Sequence, residues 1–331
     1  MRRRDFIKGL AGSATVWPLA AGAQQAGELR RVGVLTPFAE TDVEVQSEVA
    51  AFRRSLEQRG WFDGRNVKID YRWAAGDVNR IKTYAQELVG LAPNVILARA
   101  TPVTTALLRE THTIPIVFVN VSDPVGAGFV QSMARPGGNA TGFTNVEASL
   151  AGKWVEVLKE LNPRMTRIAA LFSPKTSPDS GEFYLRLIED ASRSMAVKTI
   201  AIPVQSAADI ESAIESFALV PDGGLIVTPD VTTTNNRALI MLLAAKHHLA
   251  AIYPFRFFVG EGGLASYGID VVDMYRRAAT YVDRILKGEK PADLPVQAPI
   301  RFELAINRKT ANALGLTIPP TLIVRADEVV E

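Results

Sequence analysis

The stretch NVILARATPVTTALLRETHTIPIVFVNVSDP, residues 94–124, decides the fold. Its two apolar, β-branched runs, 94–98 and 114–121, have the length of strands and no polar face for solvent. The segment between them reads as a helix that begins near Pro102. Continuous apolar strands separated by helices indicate a parallel sheet covered on both faces. Upstream, the same alternation predicts strands over 32–35 and 67–73 and helices over 43–59, ending at Gly60, and 78–89. Downstream, turn formers gather at Pro136-Gly137-Gly138-Asn139 before a short strand over 141–143. The series then begins again, with strands over 168–172, 197–204, 224–227 and 250–253 and helices over 182–194, 208–217 and 235–247. Two βα series of similar length predict an α/β protein of two similar doubly wound parallel-sheet lobes rather than one large sheet. The ending is less regular: a strand over 263–267, a helix over 271–286, a Pro-rich stretch, a strand over 300–306 and a helix over 308–314. It predicts a chain that crosses between the lobes more than once, a multi-crossing hinge.

Charge is unevenly placed. Of 37 Lys and Arg and 35 Asp and Glu, residues 1–23 hold four bases (Arg2, Arg3, Arg4, Lys8) and one acid (Asp5), leaving 33 against 34. The basic character therefore belongs to this segment, and no polyanion-binding surface or nucleic-acid partner is expected. The segment reads as an export signal, residues 1–23, with a mildly apolar stretch followed by Ala21-Gly22-Ala23. Small residues there predict cleavage between Ala23 and Gln24. The run Arg3-Arg4-Asp5-Phe6-Ile7-Lys8 fits the twin-arginine pattern, the favoured reading over a general secretory signal that happens to be rich in Arg. The chain has no Cys, so no lipid-anchoring Cys, disulfide, thiolate metal site or Cys nucleophile is expected. The best later apolar run, 239–251, is broken by Lys246, His247 and His248 and is too short to span a bilayer. These readings predict a soluble, monomeric periplasmic protein.

The motifs of catalysis are absent. The three His residues, His112, His247 and His248, fall in no metal-ligand pattern, and the adjacent pair would point about 100° apart on a helix. There is no phosphate loop. Gly260-Glu261-Gly262-Gly263 lies before a strand, the wrong side for a dinucleotide fingerprint, and no Gly-x-Ser-x-Gly elbow occurs. No cofactor or metal is expected. What stands out lies at strand C-termini: Thr36-Pro37, Ala100-Thr101-Pro102, Ser122-Asp123-Pro124, Ser173-Pro174 and Thr228-Pro229-Asp230. Ligands of open parallel sheets sit beyond those ends, where helix N-termini also gather. The same residues are good N-caps and Pro suits a first helical turn, as at Pro124. Five such sites across two lobes, with no catalytic motif, point to a binding cleft. Thr144 follows the 141–143 strand and joins the set. Phe38, Phe143, Phe172, Tyr253, Phe255 and Tyr267 are aromatic candidates near strand ends, able to stack on a ligand ring.

The segment from Ile114-Pro115-Ile116-Val117-Phe118 through Ser122-Asp123-Pro124-Val125-Gly126 to Arg135-Pro136-Gly137-Gly138-Asn139-Ala140-Thr141-Gly142 resembles the ABC-transporter substrate-binding family that includes tryptophan- and tyrosine-binding members. Val32-Gly33-Val34-Leu35, Gly60-Trp61, Gly64-Arg65-Asn66-Val67 and residues 307–319 are similar to it as well. The resemblance implies a type I periplasmic-binding-protein fold with three interlobe crossings and no enzymatic activity. Its lobes would comprise 30–145 plus 268–298 and 146–267 plus 299–331. It implies a small organic ligand, an aromatic or branched amino acid or a related carboxylate, passed to an ABC permease. Thr36, Thr101, Ser122 and Asp123 match the first lobe's strand-end positions; Thr228, Asp230 and Asp270 are the counterparts on the second. Thr101 and Ser122 would hold a carboxylate, and Asp123 or Asp230 an ammonium group. A ligand-sensing module for a membrane receptor, or a two-lobed isomerase or racemase, would share this outline.

Overall fold

The computed structural model describes residues 29–147 and 149–331; the expected export signal, 1–23, and its expected cleavage between Ala23 and Gln24 lie outside them. The first half of the chain runs β1 (Arg30–Thr36), α1 (Val43–Glu57), β2 (Val67–Trp73), α2 (Val78–Gly90), β3 (Val95–Arg99), α3 (Ala100–Glu110), β4 (Ile116–Val121) and β5 (Ala140–Thr144). These strands form a parallel sheet in the order β2-β1-β3-β4-β5. After β4 the chain makes a turn over 124–128 rather than the helix that Pro124 suggests. Asp123 sets that turn by accepting the Gly126 N–H at 2.8 Å. In α1 the apolar residues Val45, Val49, Phe52 and Leu56 recur at helical spacing and all are buried, the stripe expected of a helix laid on a sheet. Gly142 in β5 has a φ of +154°, and a Cβ there would meet Phe118 O of the neighbouring strand. Only glycine fits that close backbone approach.

The second half runs α4 (Leu150–Leu161), β6 (Arg167–Phe172), α5 (Glu182–Ser194), β7 (Lys198–Pro203), α6 (Ala207–Ala218), β8 (Gly223–Val227), α7 (Val231–Asn235), α8 (Arg237–Lys246), β9 (Ala250–Tyr253), α9 (Arg256–Gly260) and β10 (Ala265–Gly268). Then follow α10 (Val271–Leu286), β11 (Glu303–Asn307), α11 (Arg308–Ala313), α12 (Pro320–Arg325) and β12 (Glu328–Val330). The second sheet has the order β12-β11-β10-β9-β8-β6-β7. The two-lobed α/β architecture is as the periodicity predicts, with specific departures. The single helix expected over 235–247 is two, α7 and α8, parted at Asn236, whose ψ of 19° is not helical. Helices α4, α9 and α12 and strand β12 extend the expected set.

One pair breaks the all-parallel expectation: β10 and β11 are antiparallel. The cause lies in the chain path. After β10 the chain leaves the second sheet, and α10 packs on α1, β3, β4 and β5 of the first. It returns from that side into β11, so β11 starts where β10 ends and must run the other way. The chain thus passes between the sheets three times: between β5 and α4, between β10 and α10, and between α10 and β11.

Candidate functional site

Parallel pairing sends the C-terminal ends of both sheets to the gap between the lobes, so the short segments after each strand meet there. From the first lobe, Phe38 follows β1, Ala100 and Thr101 open α3, Asn120 lies in β4 and Ser122 follows it. From the second, Thr176 follows β6, Pro229 and Asp230 follow β8, Val231 and Thr234 belong to α7, and Phe255 follows β9. Together they wall a cavity of about 10 Å³, room for one water-sized guest. Thr101 and Thr176 also line a wider groove of about 560 Å³ that continues from it between α2, α3 and residues 175–177.

Asp230 organises the second lobe's wall. Its carboxylate accepts the N–H groups of Ser173 (3.0 Å) and Thr233 (2.9 Å) and the hydroxyls of Thr176 (3.1 Å), Ser177 (3.2 Å) and Thr228 (3.3 Å). It is 6% exposed, and among the described residues no cation is paired with it. Burial therefore holds its carboxyl above the usual range, against the pull of those hydrogen bonds. A buried carboxyl held by neutral donors alone, with its ionised form disfavoured by burial, gains most from a cationic group that would stabilise that form.

The first lobe's wall carries the opposite preference. Helix α3 has no side-chain N-cap, since its cap residue is Arg99; Pro102 has no N–H to give, so the N–H groups of Thr101 and Val103 are the uncapped donors of its first turn. Both Ala100 (φ +69°) and Asn120 (φ +58°) hold left-handed backbone, strain that concentrates at ligand sites. Asn120 Oδ1 accepts from Asn145 Nδ2 at 2.7 Å, which leaves the Asn120 amide nitrogen as a donor at the cavity wall. Behind this wall Arg99 is pinned by Glu48 at 2.8 Å, and its guanidinium lies 4.2 Å from the centroid of the Phe38 ring.

Ser122 spans the lobes: its hydroxyl hydrogen-bonds Tyr184 OH of α5 at 2.5 Å. Thr144 donates to the Ser122 carbonyl at 3.2 Å, beside the first interlobe crossing.

Of the residues predicted from sequence, Thr101, Ser122 and Asp230 stand on the cavity wall. Ser173 and Thr228 bond Asp230 directly. Thr36 is buried one step back, its hydroxyl accepting the Phe38 N–H at 3.4 Å. Four others lie off the wall, among them Thr144, which bonds the Ser122 carbonyl. Asp123 is committed to the turn after β4, and Tyr267 stacks on Phe302 at 5.7 Å. Asp270 is an exposed N-cap of α10, beside a separate depression. Among the aromatics, Phe38 and Phe255 reach the wall, whereas Phe143 packs against Tyr281. Sequence reasoning missed Asn120, Thr176 and Tyr184. An Asn inside the apolar run 116–121 was the available signal, because strands disfavour it. Among the described residues no group of three or more His, Cys, Asp or Glu is arranged to hold a metal.

A family model described as ABC transporter substrate binding protein matches residues 32–330. A tyrosine-binding protein from Clostridioides difficile (strain R20291) is 28% identical over 273 residues, 80% of this chain and 75% of that one. A solved conserved domain protein from Vibrio cholerae O1 superposes with a TM-score of 0.85 at 28% identity, covering 91% of this chain and 100% of its own. The ABC domain in complex with L-Trp from Streptococcus pneumonia superposes with a TM-score of 0.84 at 26% identity, covering 92% and 100%.

Proposed function

We propose that this chain, which belongs to the ABC transporter substrate-binding protein family, takes an aromatic α-amino acid as the solute it captures for its permease. The observation that carries the reading is the opposition of the two walls. Asp230 offers a buried carboxylate for an ammonium group, while the open end of α3 and the Asn120 amide offer donors for a carboxylate. Phe38 and Phe255 flank the space and suit a ring. The tyrosine-binding relative and the L-Trp-bound neighbour support the same class. Ser122 adds a hydroxyl at the lobe junction, and Thr36, Thr144, Ser173 and Thr228 hold the walls in shape. Asp230 rather than Asp123 takes the ammonium, and Tyr267 and Asp270 stay outside the contact set.

Binding is followed by release to the permease, without turnover. The lobes are 30–145 plus 268–298 and 146–267 plus 299–331, acting as a monomer in the periplasm after export by the twin-arginine route. A cavity this small requires the lobes to part before a ligand enters.

Calorimetry with L-tyrosine, L-tryptophan and L-phenylalanine tests the reading, on wild type and on Asp230→Asn. Leaving a buried ammonium unpaired costs about 3–5 kcal/mol, so affinity should fall roughly a hundredfold to several thousandfold. Equal affinity in wild type and folded variant would remove Asp230 from the ligand contacts. No heat with any of the three would remove the ligand class.

A further inference from the structure

The wide groove differs in character from the inner cavity. Its floor is apolar, built by Val78 and Ile81 of α2 and by Pro102 and Ala106 of α3. Its rim is cationic, with Lys82 on α2, Arg109 on α3 and Lys175 in the segment after β6. Among the described residues, none of these three has a carboxylate oxygen within 4.0 Å. The one acid of the groove, Glu110, is turned to Gln86, whose amide donates to it at 3.2 Å. Elsewhere on the surface Arg72, Lys153, Arg237 and Arg325 each meet a carboxylate within 3.3 Å, while other exposed cations such as Arg54, Lys198 and Lys309 do not, so it is the grouping of three around one groove that is distinctive. Three cations drawn from both lobes around one apolar floor, none met by a carboxylate, give the groove a positive field that favours an incoming anion.

Thr101 and Thr176 line both spaces, so a ligand headgroup at Asp230 has one roomy direction in which to extend. We propose that the groove is a second compartment of the ligand site, taking an anionic group at the far end of the ligand's side chain. The solute class is then an α-amino acid with an apolar, ring-containing side chain that ends in an acid. This rests on the amino-acid reading of the inner cavity and narrows it. Because Lys175 comes from the opposite lobe to Lys82 and Arg109, such an anion is bound by both lobes only when they are closed. Recognition of the acid is thereby coupled to closure.

Titration calorimetry with a matched pair of probes, L-phenylalanine and 4-carboxy-L-phenylalanine, tests the inference, with benzoate as a third. Wild type should bind the carboxylated amino acid at least tenfold more tightly than phenylalanine. In the Lys82→Gln, Arg109→Gln, Lys175→Gln triple variant that ratio should fall to about one. All three side chains are exposed, and the fold of the variant is checked by its melting curve. Wild-type affinities within threefold of each other would overturn the second compartment while leaving the amino-acid reading intact. A ratio that survives the triple substitution would also overturn it. Benzoate binding as tightly as the carboxylated amino acid would show a groove that acts without the inner cavity, and would overturn the coupled site. Failure of both amino acids to bind would overturn this inference, and the reading beneath it as well if tyrosine and tryptophan also give no heat.

Discussion

Glu48 and Arg99 form a buried pair at 2.8 Å, with side chains 2% and 1% exposed. Several of their atoms have no partner in the protein: Glu48 Oε2, Arg99 Nε and Arg99 Nη1, as well as the nearby Tyr275 OH. Burial pushes the Glu48 carboxyl up to about 7, against the pull of Arg99. A carboxyl raised above its unfolded value stabilises the fold fully below about 4.5, and that contribution is lost as pH rises through about 7. The span corresponds to on the order of 3 kcal/mol. Glu48→Gln mimics the protonated form and should remove this slope. Urea unfolding of both proteins between pH 4.5 and 8 should show the stability difference moving in the variant's favour as pH rises. A pH-independent difference would mean that Glu48 is ionised throughout. This pair was not legible in sequence, because an Arg closing an apolar strand and a Glu on an amphipathic helix both read as surface residues. Asn120 is the contrary case. Its place inside an apolar run was visible, but its positive φ and its turn toward Asn145 depend on the shift of register between β4 and β5.

At the scale of elements, the strands were the readable part. Runs such as 95–98 and 168–172 are buried on both faces, so their composition alone declares them. Helix ends were less readable. Thr232, Thr233 and Thr234 follow Asp230 in a short helix held by the Asp230 cap, and Asn236 separates it from α8. The hydrophobic pattern ran through that break without marking it. The antiparallel β11 was not legible either, since direction depends on which lobe α10 joins. The contact between β4 and α5 shows how distant elements complete the junction. Ser122 follows β4, Tyr184 lies in the first turns of α5, and the two hydroxyls share one buried hydrogen bond. Ser122→Ala and Tyr184→Phe should each destabilise the protein by about 1 kcal/mol or more. Because they remove the same bond, the double variant should lose about 1 kcal/mol less than the two single losses combined. Additive losses in a denaturation cycle would mean that the lobes do not meet there in solution.

The whole molecule is drawn together by a second contact between lobes. Arg237, at the start of α8, pairs with Asp42 of the first lobe at 2.9 Å and with Glu261 of its own lobe at 2.9 Å. Parting the lobes breaks the first pair and keeps the second, so the Asp42 pair favours closure. Asp42 is also the N-cap of α1, accepting the N–H groups of Glu44 and Val45. Asn caps a helix about as well as Asp, so Asp42→Asn removes the charge and keeps the cap. Both side chains are mostly buried, 18% exposed for Arg237 and 12% for Asp42, so the pair belongs at the upper end of the range for surface bridges, about 1 kcal/mol. Ligand affinity in the variant should therefore fall about fivefold, because a smaller share of the protein closes on the bound solute. Small-angle scattering should show saturating ligand compacting both proteins, with the variant requiring more ligand to reach the same radius. At ~100 times its dissociation constant the ligand stabilises either protein by about 2.7 kcal/mol, so melting curves at matched saturation should shift alike. An affinity unchanged in Asp42→Asn would show that the pair forms equally in the open and closed arrangements, and closure would then rest on the ligand and on the Ser122–Tyr184 junction.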